Sequence, residues 1–327
     1  MKIGVIGGGQ LGLLTILEGK KLGVDFAVLD KDPNAPASKI ADAWYPPEKV
    51  KSFVASCDVL TYEFEHIDPR IVEAAEKSGK LLSGTLPLLL KQDKIEEKRF
   101  LKKKGYPVPD FWAAENGAEA LRLAKELRRP LILKISRFGY DGKGQFVVKS
   151  EKDLKAVAAQ VAPVKERFLI EELVAFEMEV SCVGVADRKR AVRFFPITQN
   201  DHVDGILLKN RTLDQPAPVL VKQVQRHLKG LVNDLDLVGL LAVEFFVGKK
   251  GEIWINEYAP RPHNTGHYTL DGAETSQFEA LVRVLVDLPT GATGLLAPCG
   301  MVNILGLDMK ELDLKKILSV EGARLYW

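Results

Sequence analysis

Lys2 to Ile6 is a short β-branched run that stops at Gly7-Gly8-Gly9, and apolar residues then recur at helical spacing from Leu11 to Leu22. The order is strand, tight turn, helix. Phe26 to Leu29 supplies a second strand ending at Asp30, Val59-Leu60-Thr61-Tyr62 reads as a further buried strand, and Pro69 to Lys77 as another helix. Such alternation of β and α leaves few folds open and predicts a parallel sheet covered by helices over residues 1–92.

The charged stretch Lys91 to Lys104 reads as a helix stopped by Gly105, and Pro107 and Pro109 mark an extended connection. A boundary is therefore expected between residues 92 and 93. Residues 93–173 then form a small α+β unit: helix Ala118 to Leu127, strand Leu131 to Ile135, a Gly-rich loop, strand Gln145 to Val148, helix Lys152 to Gln160 and strand Phe168 to Glu171. Residues 174–327 carry runs at Glu177 to Val185, Ala191 to Thr198, Leu240 to Val247 and Ile253 to Glu257 that suit a larger antiparallel sheet. Helices near Val219–Leu235 and Ser276–Leu285 flank it. A length of 327 residues suits two or three packed lobes at roughly 100–200 residues per domain.

A net charge of +2 creates no field that would imply nucleic acid or an anionic membrane, so charge recognition must be local. Cys57, Cys182 and Cys299 are far apart and form no Cys-x-x-Cys pair, which argues against a disulfide framework or structural zinc. Three glycines interrupt the opening apolar run, unlike a signal peptide, and no stretch approaches the ~20 apolar residues of a membrane span. A cytoplasmic protein is expected.

Gly7-x-Gly9-x-x-Gly12 followed by Asp30 matches the dinucleotide fingerprint, in which glycines let backbone and helix dipole approach a phosphate. NAD, a mononucleotide phosphate and a purely structural turn all satisfy it. The loop Gly139-Tyr140-Asp141-Gly142-Lys143-Gly144-Gln145 suits a phosphate cradle or a plain hairpin. Lys134 favours the cradle, because an ammonium among apolar strand neighbours calls for an anionic partner. Glu171-Glu172-Leu173-Val174 ends a strand where backbone groups could meet an adenine edge, and Glu179 could accept from ribose hydroxyls.

Glu244 and Glu257 lie on strands joined by Gly248-Lys249-Lys250-Gly251. If Lys249 faces Glu252, then Glu244 faces Glu257. Opposed carboxylates with Cβ atoms about 5 Å apart are destabilising unless something neutralises them, and hard oxygens at that separation suit Mg²⁺ shared with substrate phosphates. Asn256 adds an oxygen. Arg261, His263 and Asn264 follow directly, on a loop held by Pro260 and Pro262, as a guanidinium, an imidazole and an amide that can hold an oxyanion.

In this order the pieces resemble the ATP-grasp superfamily, and more closely its N5-carboxyaminoimidazole ribonucleotide synthetase family. The resemblance rests on Gly7 to Gly12, Thr61-Tyr62-Glu63-Phe64-Glu65-His66, Phe138 to Gln145, Thr198 to Leu207 and Asn256 to His267, and covers essentially the whole chain. It implies an ATP-grasp fold of mixed α/β and α+β class: an N-terminal Rossmann-like domain, a small lid domain and a larger antiparallel-sheet domain. The implied reaction is ATP-dependent carboxylation of 5-aminoimidazole ribonucleotide with bicarbonate, by way of carboxyphosphate, with ATP and Mg²⁺ as cofactors.

By the same resemblance Lys94, Lys134, residues Gly139 to Gln145, Glu171 to Val174, Glu179, His202, Asn256 and Glu257 bind ATP, and Glu244 and Glu257 hold Mg²⁺. Arg261, His263 and Asn264 hold bicarbonate. Gln10, Leu11, Glu65, Tyr140, Asp141 and Lys143 line the acceptor site, which places a nucleotide monophosphate at the first glycine turn. The family pattern continues some tens of residues beyond Trp327 in a basic segment that binds substrate phosphate and carboxylate. A homodimer is implied. A sister ligase, formate-dependent glycinamide ribonucleotide transformylase or a biotin carboxylase-like protein, is the nearest alternative, and a non-catalytic nucleotide-binding module the most distant.

Overall fold

The computed structural model describes residues 1–137, 144–203 and 205–326. Its first unit contains β1 (Lys2–Ile6), α1 (Gln10–Lys20), β2 (Asp25–Leu29), β3 (Ala43–Tyr45), α2 (Val50–Ser56), β4 (Val59–Tyr62) and α3 (Pro69–Ser78). The four strands pair in parallel in the order β3-β2-β1-β4, as the alternation predicts. Helix α3 shows why the ends fall where they do: the Asp68 carboxylate accepts from the Arg70 amide, Pro69 fixes the first turn, and Gly79 closes the helix at φ 65°.

The next two helices correct one expectation. Instead of one helix from Lys91 to Lys104 there are two, α4 (Leu86–Lys91) and α5 (Lys94–Lys103). Asp93 lies between them in extended backbone and caps α5, accepting from the Ile95 and Glu96 amides. The same carboxylate accepts from Ser136 Oγ, from Arg137 Nε at 3.0 Å and from Arg167 Nη2 at 2.6 Å, tying α5 to the following unit.

That unit comprises β5 (Phe111–Ala114), α6 (Gly117–Leu127), β6 (Leu131–Ile135), β7 (Gln145–Val148), α7 (Glu151–Val161) and β8 (Phe168–Glu172). Its strands form an antiparallel sheet in the order β5-β8-β6-β7. Ala120 and Ala124 of α6 pack with Leu131, Leu133, Phe168 and Ile170 in a core of its own.

The largest unit runs through β9 (Met178–Ala186), β10 (Val192–Phe194), β11 (Thr198–Val203), β12 (Ile206–Thr212), α8 (Pro218–Asp234), β13 (Gly239–Val247), β14 (Ile253–Ala259), α9 (Thr269–Gly272), α10 (Gln277–Leu285), β15 (Gly300–Val302) and α11 (Leu314–Leu318). The antiparallel order is β14-β13-β9-β11-β12-β15, with β10 also on β9. The run Ala191 to Thr198 is not one strand: it breaks around Pro196, which has no N–H for a ladder, into β10 and the start of β11. Leu220, Val224, Leu228 and Leu231 recur along α8 and, with Leu235 just past its end, cover one face of this sheet. Leu281, Val282 and Leu285 of α10 join Val185, Leu240 and Ala242 of the sheet to Ile3, Val5 and Phe26 of the first unit in a single core. That shared core fixes the glycine turn relative to the large sheet.

Candidate active site

The hairpin β13–β14 sets the centre of the site. Val247 pairs with Ile253, and the Gly248 amide donates to the Glu252 carbonyl at 2.8 Å, leaving Lys249 to Gly251 as the turn, with Gly251 at φ 83°. Extended without interruption, this register would place Glu244 opposite Asn256. A β-bulge between Glu244 and Phe245 shifts the ladder by one residue, so Glu244 does face Glu257, as expected, but by a different route from the assumed Lys249–Glu252 pairing.

Around this pair the fold gathers Lys94, Lys134, Gln145, Glu171, Glu179, His202, Asn256 and both glutamates into one pocket between the two antiparallel sheets. Three basic or acidic side chains that the sequence reading did not single out stand among them or directly behind them. Lys98 Nζ lies 2.9 Å from Glu171 and donates to the Asn256 carbonyl at 2.6 Å. Lys91 Nζ lies 2.5 Å from Glu257 Oε2 and 3.2 Å from Glu97, whose own carboxylate accepts from the Tyr258 amide at 3.1 Å. The signal for Lys98 was present, since Ile95, Lys98 and Leu101 recur at helical spacing and so put Lys98 on the buried face of α5.

The electrostatics separate the two facing carboxyls. Burial pushes Glu244 well up, and Glu257 and Glu179 beside it act in the same direction. Burial also works against the Glu257 carboxylate, but the Lys91 ammonium outweighs it and holds the group well below the usual range. Against the cost of burial, Lys134 at 2.6 Å and Lys98 hold Glu171 down at about 2. His202 loses to burial and gains more from its bond to Glu179, with Nδ1 3.0 Å from Oε2, and from Glu244, which together raise it to about 9. It is a cation at neutral pH.

On the side facing the parallel sheet, Glu65 and Arg261 form a largely buried ion pair at 2.9 Å, joining a residue expected at the acceptor to one expected at bicarbonate. His263 Nδ1 lies 2.9 Å from Thr265 Oγ1; burial, and next the Arg261 charge, push it down to about 3, so the ring is neutral. Asn264 and Gln10 are exposed and Leu11 half-buried at the start of α1. Glu172, Leu173 and Val174 are half-buried at the end of β8 and just beyond, where the Leu173 amide donates to the Pro130 carbonyl at 3.0 Å. Gly139, Tyr140, Asp141, Gly142 and Lys143 lie outside the described residues, and Gly144, at φ 74°, is the first described residue after them.

The first glycine turn departs from the phosphate-cradle expectation. Glu63, at the end of β4, accepts from the Gly9 amide and from the Gly12 amide at 2.7 Å, while Asp30 accepts from the Gly8 amide at 2.8 Å. Carboxylates of the chain itself thus occupy these three amides. A Cβ on Gly7, at φ 107°, would sit 2.5 Å from the Glu63 side chain, and one on Gly9 2.8 Å from its oxygen. Close approach of Glu63 therefore accounts for these glycines without a bound nucleotide.

Comparison with known proteins fits this geometry. Residues 99–278 match the ATP-grasp domain and residues 1–85 the ribonucleotide synthetase preATP-grasp domain. The N5-carboxyaminoimidazole ribonucleotide synthase of Aquifex aeolicus (strain VF5) is 47% identical over 327 residues, spanning 100% of this chain and 87% of the relative. The crystal structure of the phosphoribosylaminoimidazole carboxylase ATPase subunit from Aquifex aeolicus superposes with a TM-score of 0.85 at 43% identity, covering 100% of this chain and 89% of that one. A third neighbour is N5-carboxyaminoimidazole synthase from Aspergillus clavatus in complex with ADP and 5-aminoimidazole ribonucleotide, with a TM-score of 0.84 at 28% identity over 93% of this chain and 82% of its own.

Proposed function

The chain belongs to the N5-carboxyaminoimidazole ribonucleotide synthase family of ATP-grasp ligases, and from that premise we propose how its residues share the reaction. The activity is ATP-dependent synthesis of N5-carboxyaminoimidazole ribonucleotide in purine biosynthesis. The observation that carries the finer reading is the facing pair Glu244 and Glu257 inside a pocket that also presents Lys94 and Lys134.

Glu244, Glu257 and Asn256 are hard oxygen donors, and the buried Glu244 carboxyl has two further carboxylates for neighbours, a crowding that a dication relieves. These residues fit Mg²⁺. When bound, the ion would neutralise the triphosphate and polarise its γ-phosphoryl group. Lys94 and Lys134 steady the phosphates, Glu179 and His202 face the ribose side, and residues 171–174 meet the adenine.

Arg261, neutral His263 and Asn264 orient bicarbonate so that its oxygen attacks the γ-phosphorus and ADP leaves. The resulting carboxyphosphate, or the CO₂ it releases, is attacked at carbon by the exocyclic amine of 5-aminoimidazole ribonucleotide; phosphate departs and the amine loses a proton. Gln10, Leu11 and Glu65, with Tyr140, Asp141 and Lys143 of the Gly-rich loop, hold that acceptor. Glu63 occupies the turn amides of Gly9 and Gly12, and Asp30 that of Gly8, so the acceptor phosphate is held elsewhere. We place domain boundaries after residues 92 and 173, with support from the three separate sheets. We further propose a cytoplasmic homodimer; among the described residues no helix is long and apolar enough to cross a membrane.

ADP release should require both aminoimidazole ribonucleotide and bicarbonate. Release that proceeds with neither, or that accepts formate in place of bicarbonate, would defeat this reading in favour of a sister ligase.

A further inference from the structure

Each carboxylate of the proposed metal pair already has a basic neighbour. Lys91, the last residue of α4, is 11% exposed and directs its ammonium at Glu257 Oε2 from 2.5 Å. It is fixed from behind: both oxygens of Glu97 lie 3.2–3.3 Å from Nζ, and the Glu97 side chain is 2% exposed and anchored on the Tyr258 amide. Glu244 has His202, whose nearest ring nitrogen lies with an oxygen of Glu244 and one of Glu179 inside a 4.8 Å cluster. Among the described residues Lys94, Lys98 and Lys134 line the same pocket as the two carboxylates, and Lys91 stands directly against Glu257. Such a pocket offers little net pull on a free dication. A triphosphate brings the negative charge that changes this balance.

We propose that Lys91 is a resident counter-cation of Glu257 that keeps the empty site from capturing a free divalent ion, so that the metal is taken up together with the nucleotide. The proposal rests on the assignment of Glu244 and Glu257 as metal holders. It makes Lys91 a positioning residue with a repulsive role: a dication at Glu257 must lie close to the ammonium, and only added anionic charge offsets that repulsion. Glu97 is what prevents the lysine from simply swinging away.

The test uses Mn²⁺ as the probe, with free Mn²⁺ followed by electron paramagnetic resonance on the full chain, first without nucleotide and then with ADP. The wild-type protein should bind Mn²⁺ at least tenfold more weakly without ADP than with it. Lys91→Met should tighten nucleotide-free binding at least tenfold, and Lys91→Arg should leave it weak. The gain should vanish when Glu257→Gln is added to Lys91→Met. Because Lys91→Met strands Glu97 in the interior, Lys91→Met combined with Glu97→Gln provides a second background with the same expectation, its fold checked by circular dichroism. Nucleotide-free affinity that is unchanged or weaker in both backgrounds overturns the proposal, as does a gain that survives Glu257→Gln. If Glu257→Gln alone leaves Mn²⁺–ADP affinity at the wild-type value, the metal-holder assignment itself falls.

Discussion

Glu63 and Glu257 are both held by positively polarised neighbours, but the neighbours differ in kind. Glu63 is 8% exposed and bonded to the amides of Gly9 and Gly12, which the backbone of α1 cannot withdraw. Glu257 keeps 42% of its side chain open to the pocket and is held by the end of a lysine side chain. The first carboxylate is built into the fold; the second is neutralised on one side by a lysine that Glu97 holds in place and stays open to the pocket on the other. A fixed amide marks a structural anion, whereas a side-chain ammonium leaves room for exchange.

The largest expected effect that tests this contrast is on turnover. Glu257→Gln should lower kcat by about a hundredfold or more, equivalent to ~2.7 kcal/mol of barrier, while the melting temperature of the nucleotide-free protein moves little. A large loss of stability instead would place Glu257 beside Glu63 as a structural group. Next comes Glu63→Ala, which leaves two amides unpaired and should cost about 2–3 kcal/mol in urea unfolding, with the KM for ATP unchanged in the folded protein. Calorimetry on the wild type should detect no NAD binding, because the turn amides are occupied; tight binding would break the comparison outright.

The smallest effect concerns His202. Its folded pKa, about 9, exceeds the ordinary 6.5, so its contribution to stability is fully present below pH about 6.5 and is lost as pH rises through about 9. The melting-temperature difference between wild type and His202→Gln should therefore shrink across that window. A difference that grows with pH would contradict the Glu179–His202 pair.

The parallel sheet and the two strands of the carboxylate hairpin could be read from the sequence because they follow from local periodicity, whereas the bulge that makes Glu244 face Glu257 is not written in the turn spacing. Lys91 could not, since the polar run after it looks like one continuous solvated helix until Asp93 is seen as a cap tied to Ser136 and Arg167. Strands β11 and β12 were also hidden. Buried Asn200 and Asn210 bond to each other at 2.8 Å, with Ser181 beyond Asn200, so these strands bury a polar ladder that apolar alternation does not reveal. The occupation of the glycine turn by Glu63 was equally out of reach, because it depends on a contact between β4 and α1 across 51 residues of chain.

The bulge opposite Glu244 has a consequence for how densely a strand can furnish ligands. A regular strand offers one side chain to a given face about every 6.8 Å, so a single strand ordinarily contributes widely spaced donors. Doubling residues at one rung lets Asn256 and Glu257, neighbours in the chain, both line the same pocket. A hairpin whose turn is one residue longer could reach the Glu244–Glu257 pairing with an unbroken ladder, but Asn256 would then turn toward the opposite face. Turn length and donor number are thus linked, and a turn that took in Glu252 as well as Lys249 to Gly251 would be enough to exchange one for the other.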